Sequence, residues 1–241
     1  MNVPMKNDID SWINFWKTET VISDDKWQSD MELFIKATSP LLNYNSQDVI
    51  LDLGCGPGFL ASFLKNRVKE IHCLDTSERY LDICKIKFSK DQNIFLYKLD
   101  ENNYTDLSSL QTGKFSLVIC LSVIQYYKSI DEVKRLIEQV QRIALPGGKL
   151  LIADILVHSN TFSDIWGVLL TGIRERKLSE TLKYLFRMKM SNYYRTRSSL
   201  GLLYLSFKQL NDLSKTLGLK AEVLSAQITT NRNRKHLLIR F

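Results

Sequence analysis

Val49-Ile50-Leu51-Asp52-Leu53-Gly54-Cys55-Gly56-Pro57-Gly58 decides the fold of this chain. Val49, Ile50, Leu51 and Leu53 make a nearly continuous apolar run, the pattern of a strand covered on both faces. Gly54 and Gly56 then allow a sharp backbone turn and a close approach by a ligand. A helix starting near Phe59 points its first N–H groups and its positive dipole end at the same place. The order strand, glycine turn, helix predicts a site for a nucleotide-type ligand.

The spacing of the glycines narrows the ligand. A dinucleotide fingerprint requires G-x-G-x-x-G. Counted from Gly54, its third glycine falls on Phe59, while this chain has Gly58, giving G-x-G-x-G. A P-loop requires G-x-x-x-x-G-K-[ST], and no Lys-Ser or Lys-Thr follows these glycines at that distance. The alternative is an ordinary tight strand-to-helix turn.

Outward from the turn, strands and helices alternate. Strand one is expected at 48–53 with its helix near 59–68, strand two at 70–74 ending on Asp75, and a helix from Ser77 to about 90. Strand three is expected at 94–99 ending on Asp100, strand four at 115–121, and strand five at 149–156. Between the last two, Ser129 and Glu132 have the spacing of a capping box. The apolar stripe Ile130, Val133, Ile137, Val140 and Ala144 follows, and Pro146-Gly147-Gly148 ends the helix. Ser206 and Gln209 form a second box, before a helix that stops at Gly218. Two strands, 220–226 and 235–241, close the chain, and their short connection makes them antiparallel. Strands separated by helices predict an α/β fold, a mostly parallel sheet with helices on both faces.

Leu51-Asp52-Leu53-Gly54-Cys55-Gly56-Pro57-Gly58, followed by acids at the next two strand ends, resembles the first motif of class I S-adenosylmethionine-dependent methyltransferases. The resemblance covers 45–157 by motif and 205–241 by layout. It implies a Rossmann-like, seven-stranded sheet with an antiparallel C-terminal hairpin, and S-adenosylmethionine as the cofactor. It implies cofactor contacts from Asp52, Gly54, Cys55 and Gly56 of the turn. Asp75, with Thr76 beside it, is implied at the ribose, where a carboxylate can accept from both hydroxyls. Asp100 is implied at the adenine amine, with Glu101 as the alternative. The backbone near Cys120, at the end of strand four, is implied beneath the methionine moiety. Gln125, Tyr126 and Tyr127 then border the place where the methyl group leaves, and are expected to touch the substrate. For Asp75, helix capping is the competing role; for the tyrosines it is packing.

The 241 residues suit one α/β domain with additions, and 44% hydrophobic residues can fill a substantial core. The expected parts are an N-terminal helical cap over 1–45, a cofactor core over 46–158, a helical substrate-lid insert over 159–205, and a C-terminal helix and hairpin over 206–241. In the cap, Trp12, Trp16 and Trp27 are candidates to cover the cofactor. No stretch of about 18 apolar residues predicts a membrane span, and the first residues lack the apolar core of a secretion signal. Cys55, Cys73, Cys84 and Cys120 form no C-x-x-C pair and read as reduced thiols, so a cytoplasmic location is expected. His72, His158 and His236 are too scattered to suggest a metal site.

The net charge of +7 concentrates in the insert. There Arg174, Arg176, Lys177, Lys183, Arg187, Lys189, Arg195 and Arg197 outweigh Asp164, Glu175 and Glu180, with Phe162, Trp166, Tyr184, Phe186, Tyr193, Tyr194 and Tyr204 interleaved. Such a segment fits an acidic or glycan-type small molecule, and its aromatic faces fit a sugar or base. A lid with a solvated basic outside is the plainer alternative.

Methyl transfer needs a nucleophile held in line and water excluded. Positioning supplies roughly 7–11 kcal/mol at best, and a general base helps when the acceptor is a hydroxyl. His158, just past strand five, is the candidate base, because an imidazole titrates near neutrality; His72 and His236 read as structural. The expected activity is methyl transfer to oxygen of a small-molecule or glycan-type acceptor. The alternatives are an RNA-modifying methyltransferase using the basic insert, and a non-catalytic cofactor-binding protein. Against RNA, no Asn/Asp-Pro-Pro-Tyr/Phe follows strand four, and the cysteine pair resembling that of cytosine C5 enzymes is missing.

Overall fold

The structure is a computed structural model that describes residues 11–18, 24–157, 182 and 191–241. Two compact units divide the chain: residues 22–158 with 203–241, and residues 1–21 with 159–202.

The larger unit is built on the run quoted first. β1 (Val49–Leu53) is buried along its whole length. It lies at the centre of a seven-stranded sheet with β2 (Glu70–Asp75), β3 (Ile94–Lys98), β4 (Phe115–Leu121), β5 (Ala144–Leu156), β6 (Lys220–Val223) and β7 (Arg234–Arg240), in the order β3-β2-β1-β4-β5-β7-β6. The first five strands are parallel, and β7 runs antiparallel to both β5 and β6. This is the mostly parallel α/β sheet that the alternation predicts, in the Rossmann-like form that the resemblance implies. The strand order reverses between β1 and β4, the place where ligands of open α/β sheets bind.

Side-chain alternation along β1 feeds two cores. Val49, Leu51 and Leu53 join one cluster, with Val118, Cys120 and the inward face of α5 (Ile130–Ile143). Ile50 joins the other, with Ile71, Ile119, and residues of α2 (Asp24–Leu42), α3 (Phe59–Leu64) and α4 (Glu78–Lys87). Full burial of each such aliphatic side chain contributes about 1.5–3 kcal/mol, so helices on both faces are required.

Helix ends follow the sequence in one case and depart from it in another. At α7 (Phe207–Thr216) the capping box forms. Gln209 N donates to Ser206 Oγ at 3.2 Å, and Ser206 N donates to Gln209 Oε1 at 2.8 Å. Ser206→Ala is expected to cost about 1 kcal/mol, lowering the melting temperature by roughly 2–4 °C in a circular-dichroism melt. At α5 the side chain of Ser129 makes no cap bond. Glu132 Oε2 instead accepts from Lys128 N at 2.8 Å and from the Tyr104 hydroxyl at 2.6 Å. The spacing of a box was present, but a tertiary partner claimed the carboxylate. β5 also starts earlier than the sequence suggests. Ala144 already pairs with Phe115, so Pro146-Gly147-Gly148 lies inside the strand, beside a register shift.

In the smaller unit, α1 (Trp12–Thr18) and α6 (Asn192–Leu200) meet through aromatic rings. Trp12 stands 5.4 Å from Tyr193 between ring centres and donates its indole N–H to Gly201 O at 2.9 Å. Within the expected helical cap over 1–45, the described residues form α1 and α2. Most of the 159–205 insert lies outside the described residues. Among the described residues, no helix is long and apolar enough to cross a membrane.

Candidate functional site

The glycine turn is fastened to the end of β2. Gly54 N and Cys55 N both donate to Leu74 O, at 2.8 and 3.0 Å. Gly56 N donates to Asp75 Oδ2 at 2.8 Å, and Ser77 N to Asp75 Oδ1 at 2.8 Å. One carboxylate therefore ties the turn to the start of α4. Each of its oxygens accepts one of these backbone bonds, while a carboxylate offers about four lone-pair sites in all.

Gly54, Gly56 and Gly58 all have positive φ, at 75, 51 and 75°, but their surroundings differ. A Cβ on Gly54 would lie 2.4 Å from Val123 Cγ2, and one on Gly58 would lie 2.5 Å from Phe88 Cε2 and 2.9 Å from Cys84 Sγ. Gly54 thus admits the segment after β4, and Gly58 admits α4. A Cβ on Gly56 meets nothing within 4 Å, so the turn is open at its middle.

Beneath the turn, Asp52 is buried, and its Oδ2 has no hydrogen-bond partner. Burial, with the charge of Asp75, pushes its pKa up to about 8. Burial also raises the pKa of Asp75, against the N–H bonds from Ser77, Gly56 and Thr76. Two adjacent acids held this way favour a ligand that brings positive charge. S-adenosylmethionine fits on three counts: an orphaned acid for a cation, a doubly anchored carboxylate with acceptor capacity for ribose hydroxyls, and an opening over Gly56.

Cys55 is buried, and its thiol contacts those of Cys73 and Cys84. Thr76 is half-buried. Asp100 is exposed, with Oδ1 accepting from Asn102 N at 2.9 Å, and Glu101 pairs with Lys98 at 3.5 Å. Cys120 is fully buried, and burial pushes its thiol pKa up. Gln125 is buried and donates through Nε2 to Ser122 O at 3.3 Å, Tyr126 is half-buried, and Tyr127 packs on Tyr104 in the core at 5.1 Å between ring centres. His158 lies outside the described residues. Trp27 stacks on Phe59, 6.2 Å between ring centres and 7° from parallel. It thereby rests on the residue that stands where a dinucleotide turn has glycine. Trp12 and Trp16 belong to the smaller unit.

Sequence reasoning overlooked Ser122, Asp154 and Arg234, and read His236 as structural. Ser122 Oγ donates to Asp154 Oδ2 at 2.8 Å, Arg234 Nε stands 3.3 Å from Asp154 Oδ1, and Asp154 N donates to His236 Nδ1 at 3.2 Å. Asp154 lies at the carboxyl end of a strand, the usual place for ligand contacts; that was the signal available.

Residues 51–152 match a family model described as a methyltransferase domain. A demethylmenaquinone methyltransferase of Leptospira interrogans is 28% identical over 115 residues, covering 47% of this chain and 45% of that protein. A ubiquinone biosynthesis O-methyltransferase of Xanthomonas oryzae is 23% identical over 106 residues, covering 44% and 42%. The chain thus spans less than half the length of either relative. Among solved structures, a SAM-dependent methyltransferase of Leishmania major superposes with a TM-score of 0.62 at 10% identity, over 95% of this chain and 80% of that one, which shows a shared fold.

Proposed function

Since the chain belongs to the class I S-adenosylmethionine-dependent methyltransferase superfamily through residues 51–152, we propose that it binds S-adenosylmethionine in the β1–β2 cradle and transfers its methyl group to a small-molecule acceptor. The observation that carries this reading is Asp75, fastened to Gly56 N and Ser77 N beside the open middle of the turn at Gly56. Asp75 would hold the ribose, the open middle of the turn would admit the cofactor backbone, and Asp52 would sense its charge. When bound, the cofactor supplies an activated methyl group; the protein's task is to align the acceptor and exclude water.

A hydroxyl is the proposed acceptor group. One of the two relatives named above is called an O-methyltransferase, which supports this choice. The basic, aromatic insert over 159–205 would add affinity for an acidic or sugar-bearing molecule. The test is transfer of tritium from methyl-labelled S-adenosylmethionine to a panel of phenols, sugars and amines. Label in the phenols or sugars supports the reading, and label confined to amines contradicts the oxygen assignment.

Asp52 gives the cradle a pH signature. Below pH 8 its carboxyl is held protonated. A cation entering the site favours the carboxylate, so binding expels the proton. Affinity for S-adenosylmethionine is expected to rise from pH 6 toward 8 and level off above. Calorimetry at pH 7 in phosphate and in Tris, whose ionisation heats differ, should show proton release. Asp52→Asn should bind without it.

A further inference from the structure

The two residues that open the segments beyond β4 and the bulge of β5 are held in unusual backbone. Ser122 has φ 59° and Asp154 φ 66°. Left-handed backbone is unfavourable for a side-chain-bearing residue, and glycine would avoid that cost. What glycine lacks is the hydroxyl and the carboxylate, and these two groups bond each other at 2.8 Å. Strain retained at polar residues on the ligand edge of a sheet points to function.

The surrounding chain fixes this pair from every side. Ser122 N donates to Ala153 O at 3.1 Å, binding the two strand ends together. β5 bulges against β7: Ile152 pairs with Leu237 and Ile155 with Lys235, so Ala153 and Asp154 share the single residue His236. His236 Nδ1 accepts from Asp154 N, which fixes the bulge. Bulges re-aim side chains beside active sites. Arg234 balances the charge at Oδ1, yet its Nε is not aligned for a hydrogen bond. Asp154 retains 19% side-chain exposure, so its side chain is not wholly enclosed. Val123, next to Ser122, is the residue against which Gly54 of the cofactor turn packs. The carboxylate cluster therefore adjoins the cofactor cradle on its β4–β5 side.

We propose that Asp154, gripped by Ser122 and Arg234, is the acceptor-side catalytic carboxylate: it accepts the hydrogen bond of an acceptor hydroxyl and takes up its proton during methyl transfer. The inference rests on the methyltransferase reading above. The acceptor oxygen bonds to the methyl carbon, the sulfur–carbon bond breaks with its electron pair left on sulfur, and the hydroxyl proton passes to Asp154. Ser122 and Arg234 position the carboxylate. The pair Asp154–Arg234 is close to neutral, which suits an uncharged hydroxyl at this point rather than an ammonium group.

The test uses the full chain with S-adenosylhomocysteine bound, and measures binding of catechol and of methyl glucoside by NMR titration. The two probes separate a phenolic from a sugar hydroxyl. Asp154→Asn suits the left-handed backbone. It is expected to weaken binding of the accepted probe at least tenfold and to slow its methylation about 100-fold or more, with affinity for S-adenosylmethionine unchanged. Wild-type binding and turnover in Asp154→Asn would overturn the proposal. So would failure of both probes to bind a wild-type protein that binds the cofactor. Should Asp154→Asn not fold, Ser122→Gly decides: weaker probe binding supports the proposal, and unchanged binding overturns it. Absence of cofactor binding in the wild type would instead remove the methyltransferase reading.

Discussion

Asp75→Ala is expected to abolish the rise in melting temperature that S-adenosylmethionine gives the wild-type protein. In the proposed complex Asp75 accepts two ribose hydroxyls, and a hydrogen bond to a charged group contributes about 1.5–3 kcal/mol. Losing both weakens binding at least roughly 100-fold, since 1.4 kcal/mol is a factor of ten. A ligand stabilises only in proportion to the logarithm of its concentration over its dissociation constant, so the shift disappears at concentrations that saturate the wild type. The substitution also releases Gly56 N and Ser77 N, so some loss of ligand-free stability is expected. Asp75→Asn separates the two effects, because its amide oxygen can still accept one backbone bond. It should be nearer the wild type in stability and still poor in binding. A variant of either kind that binds as the wild type does would place the ribose elsewhere.

Gly58→Ala is expected to destabilise the fold by about 2–4 kcal/mol, made of left-handed strain of roughly 1 kcal/mol or more and overpacking of about 1–3 kcal/mol. The new Cβ would lie 2.5 Å from Phe88 and 2.9 Å from Cys84. Both neighbours are buried, so shifting either one disturbs core packing. Gly56→Ala is the control. It has the same handedness and no neighbour within 4 Å, so only the strain remains. Urea unfolding of the pair measures the difference. Equal losses would mean that α4 does not press on the turn as the structure has it.

These contrasts mark what the sequence could and could not reveal. β1 was legible because it is buried on both faces, which leaves a continuous apolar run, and the turn was legible because positive φ selects glycine. Asp75 was legible because a strand ended on an acid. Ser122 and Asp154 also adopt positive φ, but with side chains that announce nothing, and the bulge that turns Asp154 exists only through pairing with β7. Ser129 shows the opposite case. Its local pattern was complete, yet Tyr104, distant in sequence, took the glutamate that the cap needed. The distinct roles of Gly54, Gly56 and Gly58 likewise depend on Val123, Phe88 and Cys84, which arrive from other elements. Local chemistry marks the proposed cofactor side of the site, whereas the proposed acceptor side is assembled from strand ends far apart in the chain.

The most direct test of the central claim is calorimetric titration of the wild-type protein with S-adenosylmethionine and, separately, with NAD. Phe59 at the third-glycine position, the paired acids Asp52 and Asp75, and the opening over Gly56 predict saturable one-to-one binding of S-adenosylmethionine and none of NAD. Saturable binding of NAD, or no binding of S-adenosylmethionine, would contradict the account.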